Sequence, residues 1–187
     1  SRMLKLSFAT PFKNIYIYTE IRFVKKILFF FKMIKILKLH HCAFRCKNSE
    51  DTKKFYTEFL GLDLVKAFEI KTTKTKRKTK VLHTFYALKD SSCIAFFEDP
   101  STPFTFKKQR DFDLHIALEV SKITLIKMYE KGKKNGIETR GIIDHGFIYS
   151  AYFRDPNGYV IELSSPNKSY KNQSKKEALH VLSKWKS

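Results

Sequence analysis

The sequence predicts an α+β fold built from two consecutive βαβββ modules. Two observations carry this expectation. A strand-like run, an amphipathic helical run and three further strand-like runs follow one another in that order, twice. Both opening strands also carry a histidine at the same place, His41 in LKLHHCAFRC and His115 in FDLHIALEV. The chain has 187 residues, 43% of them apolar, enough to bury one core around such a pair.

Three regions are expected: a basic, apolar extension over residues 1–36, a two-module domain over 37–167, and a tail over 168–187. The extension contains a single acidic residue, Glu20. Its apolar stretch is interrupted by Lys25, Lys26, Lys32 and Lys35, which makes it a poor membrane span. No small-residue cleavage site follows, which argues against a secretory signal. It reads as a leader, as an interfacial helix, or as an over-long start ahead of Met33.

In the first module the opening strand is followed by Ser49 as candidate N-cap, with Glu50 and Asp51 in the first turn where the helix dipole favours acid. Phe55, Tyr56, Phe59 and Leu60 follow at helical spacing, and Gly61 is the stop. Strands are expected over 62–70, 81–88 and 93–97. The Lys/Thr run 71–80 between the first two is the exposed tip of a hairpin. In the second module Ser121 is the candidate N-cap. Leu125, Met128 and Tyr129 form the apolar stripe, and Gly132 or Gly136 ends the helix. Strands are expected over 137–142, 147–154 and 159–164. A short helix within 174–187 has an apolar face of Ala178, Leu179, Val181, Leu182 and Trp185, which is expected to pack on the domain.

The net charge of +19 would suit a nucleic acid or an anionic surface. The cations are spread along the chain and form no nucleic-acid-reading motif. They therefore read as solvated lysine faces, with no specific nucleic-acid partner. Cys42 and Cys46 share a strand face about 13 Å apart, too far for one disulfide. Buried free thiols in a reducing, cytoplasmic compartment are expected.

Side chains alternate across a strand. His41 therefore shares a face with Leu39, Ala43 and Arg45, and His115 with Asp113, Ala117 and Glu119. The opposite face of the second strand is Phe112, Leu114, Ile116 and Leu118, the core side. Two open-face histidines at equivalent places suggest one shared site. Asp155-Pro156-Asn157-Gly158 is a tight turn that fixes Glu162 four residues past its glycine. A carboxylate among Val160, Ile161 and Leu163 is costly unless it is paired with a lysine or bound to a metal.

HCAFRC followed by FYTEFLGLDL, then HIALEV, then YFRDPNGYVIEL resemble the vicinal-oxygen-chelate superfamily over about residues 37–166. That superfamily includes glyoxalase I, bleomycin-resistance proteins and type I extradiol dioxygenases. The resemblance implies two modules curling into a cup-like mixed sheet with helices outside. It implies one divalent metal held by His41, His115 and Glu162. Two histidines and a carboxylate suit Fe(II) best, with Mn, Zn or Ni as the other choices. Glyoxalase I adds a carboxylate in the last strand of the first module. That place falls near Ala95 or Phe96 in CIAFFED, with Glu98 out of step.

The extradiol signature matches at His145, Tyr152, Asp155, Pro156, Gly158 and Glu162, and departs at Ala151. It implies His145 as acid/base and Tyr152 as a substrate contact, while Arg45 and Phe85 line the cup. The resulting expectation is a metal-dependent, extradiol-dioxygenase-like enzyme acting on a small aromatic diol or another vicinal-oxygen substrate. The rivals are a glyoxalase-like lyase or isomerase and a non-enzymatic sequestration protein of bleomycin-resistance type. Members pair modules within one chain or across a homodimer, and the sequence leaves both open.

Overall fold

The computed structural model describes residues 36–107, 110, 114–167 and 174–185. The chain divides into two compact units, Ser1–Lys38 and Leu39–Ser187. The extension expected over 1–36 lies, apart from Ile36, outside the described residues. In the first unit only 36–38 are described, and they form no helix or strand. No described helix is long and apolar enough to cross a membrane.

The second unit carries both modules. The first runs β1 (His41–Arg45), α1 (Ser49–Lys53, continuing as π turns over Lys54–Phe59), β2 (Asp63–Thr72), β3 (Lys78–Ala87) and β4 (Cys93–Glu98). The second runs β5 (His115–Glu119), α2 (Lys122–Lys134), β6 (Thr139–Asp144), β7 (Ile148–Arg154) and β8 (Val160–Pro166), and α3 (Lys175–Lys184) follows. Each module forms its own four-stranded mixed sheet, ordered β1-β4-β3-β2 and β5-β8-β7-β6. In each, the opening strand lies parallel to the closing one and the other pairs are antiparallel.

Local chemistry explains most boundaries. Asn48, one residue before the expected Ser49, caps α1: its Oδ1 accepts the Asp51 N–H at 3.0 Å. The Ser49 N–H instead donates to Glu98 Oε2 at 2.7 Å, tying the helix start to the end of β4. Ser121 caps α2 through the Thr124 N–H at 3.1 Å. Gly61 and Gly136 end the helices with φ of +77° and +66°, a region that favours glycine. Gly132 lies inside α2 and is buried. The three cysteines are free thiols, and burial raises the pKa values of Cys42 and Cys46.

One core unites the modules. Phe55, Tyr56 and Phe59 of α1 join Tyr86, Ile94 and Phe96 of the first sheet and Ala151, Phe153, Ile161 and Leu163 of the second. The Asp155–Gly158 turn is built into this junction. Asp155 Oδ1 accepts the N–H groups of Asn157 and Tyr159 at 2.9 and 2.8 Å, and Tyr56 donates its hydroxyl to Oδ2 at 3.2 Å. Asn157 Oδ1 accepts the Lys47 N–H at 2.8 Å. The turn that starts β8, and so places Glu162, is thus anchored to the first module.

The apolar face of α3, expected to pack, is exposed: Leu179 at 55%, Val181 at 65%, Leu182 at 69% and Trp185 at 77%. None of the helix's described residues is buried.

Candidate metal centre

Glu162 is buried, at 5% exposure, in β8. Its Oε1 accepts the hydroxyls of Ser150 and Ser164 at 2.5 and 2.8 Å. That leaves Oε2 turned to His115 Nε2, 3.1 Å away. The register explains the meeting: Glu162 faces Ala117 across β5–β8, two residues beyond His115 on the same strand face. Two ligands bound at right angles about 2.1 Å from one cation lie roughly 3 Å apart, so this pair has the spacing of two neighbouring ligands. A buried carboxylate already oriented by two hydroxyls, beside an imidazole nitrogen, suits a divalent cation.

His145 and Tyr152 stand beside this pair. Tyr152 faces Glu162 directly across β7–β8, and its hydroxyl lies 2.9 Å from His145 Nε2. The Arg140 guanidinium lies over the Tyr152 ring, 4.8 Å from its centre. Burial, and then the Glu162 charge, hold the Tyr152 phenol above its ordinary pKa, so it is the neutral hydroxyl that faces the site. His115, Glu162 and Tyr152 therefore gather on the second sheet, with His145 beside them on the β6–β7 loop.

His41 stands on the other sheet. Its Nδ1 lies 2.8 Å from His40 Nδ1, and its ring packs 5.5 Å from Phe85. Among the described residues, no three His, Cys, Asp or Glu side chains gather into one metal-holding group, so within the chain His41 does not join His115 and Glu162. Arg45 is turned to the segment after β4, where its Nη2 donates to Thr102 O at 2.8 Å.

A further histidine, His83, belongs to this face and is not singled out by its sequence context. It lies on β3, two residues before Phe85 and on the same face, and this alternation was the signal available. Its Nδ1 lies 2.9 Å from the Phe96 carbonyl oxygen. A carbonyl only accepts, so Nδ1 carries the proton and Nε2 keeps a lone pair. The ring stacks on Phe97 at 3.6 Å and sits 4.2 Å from Phe85, with Phe68 edge-on at 5.3 Å. Burial lowers its pKa, which favours the neutral ring. His41, His83, Phe85 and Phe68 thus make an aromatic wall on the first sheet.

The same register gives Glu162 a counterpart in the first sheet. Ala43, two beyond His41, faces Ala95, as Ala117 faces Glu162. Ala95 cannot ligate, and Glu98 is engaged at the start of α1.

Comparison with known proteins adds to this geometry. No curated protein matches the chain in sequence. Solved structures share the fold at 18% identity. The trypanothione-dependent glyoxalase I of Leishmania major has a TM-score of 0.56 and covers 80% of this chain and 100% of its own. The Listeria monocytogenes fosfomycin resistance protein FosX, complexed with Mn(II) and a sulfate ion, has a TM-score of 0.54 and covers 75% and 100%. TnmS3, an antibiotic binding protein from a Streptomyces species, has a TM-score of 0.51 and covers 72% and 99%. The model of the Glyoxalase/Bleomycin resistance protein/Dioxygenase superfamily matches residues 38–163, most of the chain, and the protein belongs to that superfamily.

Proposed function

We propose that this protein is a divalent-metal-dependent enzyme of extradiol-dioxygenase type, acting on a small aromatic diol or a related substrate with two neighbouring oxygens. The observation that carries the reading is the convergence of His115 and Glu162, 3.1 Å apart, with the His145–Tyr152 pair in the adjoining row. His115 and Glu162 of one protomer and His41 of a second copy would hold the metal, Fe(II) first among the candidates. A second copy is invoked because His41 does not reach the pair within the chain. When bound, the metal supplies Lewis acidity that stabilises the deprotonated diol.

The chain's own groups account for the rest. His145 Nε2 takes a substrate proton and returns it, working with the Tyr152 hydroxyl 2.9 Å away. The wall of Phe68, His83 and Phe85 holds a flat ring by stacking and excludes water. The lone pair on His83 Nε2 accepts a hydrogen bond from a substrate hydroxyl. Ala95 at the extra-ligand position weighs against glyoxalase I chemistry, which adds a carboxylate there.

The test is oxygen uptake by protein loaded anaerobically with Fe(II) and offered a panel of catechols, beside turnover of the methylglyoxal–glutathione hemithioacetal. Ring-cleaving uptake is expected. Hemithioacetal turnover without uptake would transfer the site to lyase chemistry. Tight catechol binding without either reaction would make the protein a sequestering one.

A further inference from the structure

We propose that His40 is a positioning residue that decides which ring nitrogen of His41 is presented to the metal. This deepens the preceding reading and rests on His41 as a ligand. Successive side chains of an extended strand point to opposite faces. His40 and His41 nevertheless meet at the entry to β1, whose first residue is His41. Their Nδ1 atoms are 2.8 Å apart and their rings cross edge to face at 74°, with centres 5.0 Å apart.

Two imidazole nitrogens at that distance share one proton, one donating and the other accepting. His41 Nδ1 is engaged by His40, so Nε2 is the nitrogen left to bind a cation. A lone pair on His41 Nε2 places the proton on Nδ1, and His40 Nδ1 is then the acceptor. His115 also presents Nε2 to the site, toward Glu162 Oε2. The His41 ring also packs on Phe85, with centres 5.5 Å apart, so two rings contact it. A ligating histidine normally has its second nitrogen held by a carboxylate or a carbonyl, which fixes both tautomer and orientation. Here the preceding imidazole does this.

His40 is itself fixed through its backbone. Its carbonyl accepts the Cys93 N–H at 3.0 Å, which extends the β1–β4 pairing by one residue. A side-chain replacement at this exposed position leaves that bond in place.

The test compares the full-length protein with His40→Phe, His40→Asn and His41→Ala. His40→Phe keeps a ring and removes the acceptor, whereas His40→Asn restores one. Co(II) affinity is measured by competition with a chelator. The His41 tautomer is read in the Zn(II)-loaded protein by long-range proton–nitrogen NMR. His40→Phe is expected to weaken Co(II) binding about 10- to 100-fold, and His40→Asn to recover most of it. The wild-type spectrum is expected to show His41 protonated at Nδ1. Wild-type Co(II) affinity in His40→Phe, or a proton on His41 Nε2, would overturn the proposal alone. Wild-type affinity in His41→Ala would remove the ligand reading and this proposal with it.

Discussion

Ala95 holds in the first sheet the register position that Glu162 holds in the second. Each faces the residue two beyond the opening histidine of its module. The pseudo-symmetry of the modules thus extends to the histidines and stops at the carboxylate, which leaves three candidate protein ligands. Ala95→Glu should place a carboxylate beside His41 as Glu162 stands beside His115. Ala95 is fully buried, so an uncompensated carboxylate there should cost about 3–5 kcal/mol in the metal-free protein. Added Mn(II) or Zn(II) should raise the variant's melting temperature by more than it raises that of the wild type. Thermal scans with and without metal check this. Equal metal shifts in the two proteins would show that position 95 does not face the cation.

If the metal is shared between two copies, damaged chains should complement one another. His41→Ala and Glu162→Gln should each bind little metal alone. A mixed dimer would contain one intact site, with His41 from one chain and the His115–Glu162 pair from the other. Co-refolding equal amounts of the two should restore metal binding to roughly a quarter of the wild-type site count, because about half of randomly assorted dimers are mixed and each carries one good site of two. No recovery in a demonstrated dimer would place the whole site within one chain.

Much of this was legible in the sequence because strand alternation and the repeat are local signals. The βαβββ order, the open-face placement of His41 and His115, the Asp155–Gly158 turn and the special place of Glu162 all follow from period and turn chemistry. What was not legible depends on partners distant in sequence. That Ala95 and not Phe96 is the counterpart of Glu162 depends on the pairing of Ala43 with Ala95, across strands distant in sequence. His83 was marked only by its alternation with Phe85, and its character comes from the Phe96 carbonyl and the Phe97 ring, which are distant in sequence. The α1 cap is Asn48, whose Oδ1 takes the Asp51 N–H, and Ser49 is the first helical residue, its N–H held by Glu98, 49 residues away.

His83 gives the fold a specific acid sensitivity. Burial is the main cause that lowers its folded pKa, and the charges of His41 and Lys66 act in the same direction. The unfolded chain, with an imidazole near the ordinary value of about 6.5, therefore binds the proton first as pH falls. The stability linked to this group is fully present above the unfolded pKa and is lost as pH drops from there toward the folded pKa. His83→Phe keeps a ring in the stack and has nothing to titrate. Urea unfolding of the metal-free proteins between pH 8 and pH 5 should show a smaller loss on acidification in the variant. Parallel curves would mean that the buried ring contributes nothing to the pH dependence.

Gly132 tests how closely the second module's helix must approach its sheet. An added Cβ would lie 2.5 Å from Thr139 Oγ1 and 2.7 Å from Phe153 Cε1. Thr139 Oγ1 is held by its hydrogen bond to the Ile137 carbonyl at 2.8 Å, and Phe153 is fully buried against Phe59. Neither can yield cheaply. Elsewhere in a helix a Gly→Ala change gains close to 1 kcal/mol from propensity. Here the overpacking should outweigh that gain, for a net loss of about 1–2 kcal/mol and a fall of several degrees in melting temperature. Because Phe153 belongs to β7 with Ser150 and Tyr152, a helix pushed outward would disturb the strand that orients Glu162. Gly132→Ala should therefore weaken metal binding along with stability, and a chelator-competition titration beside the thermal scan reads both. A variant more stable than the wild type would show that α2 can move away from the sheet at no cost.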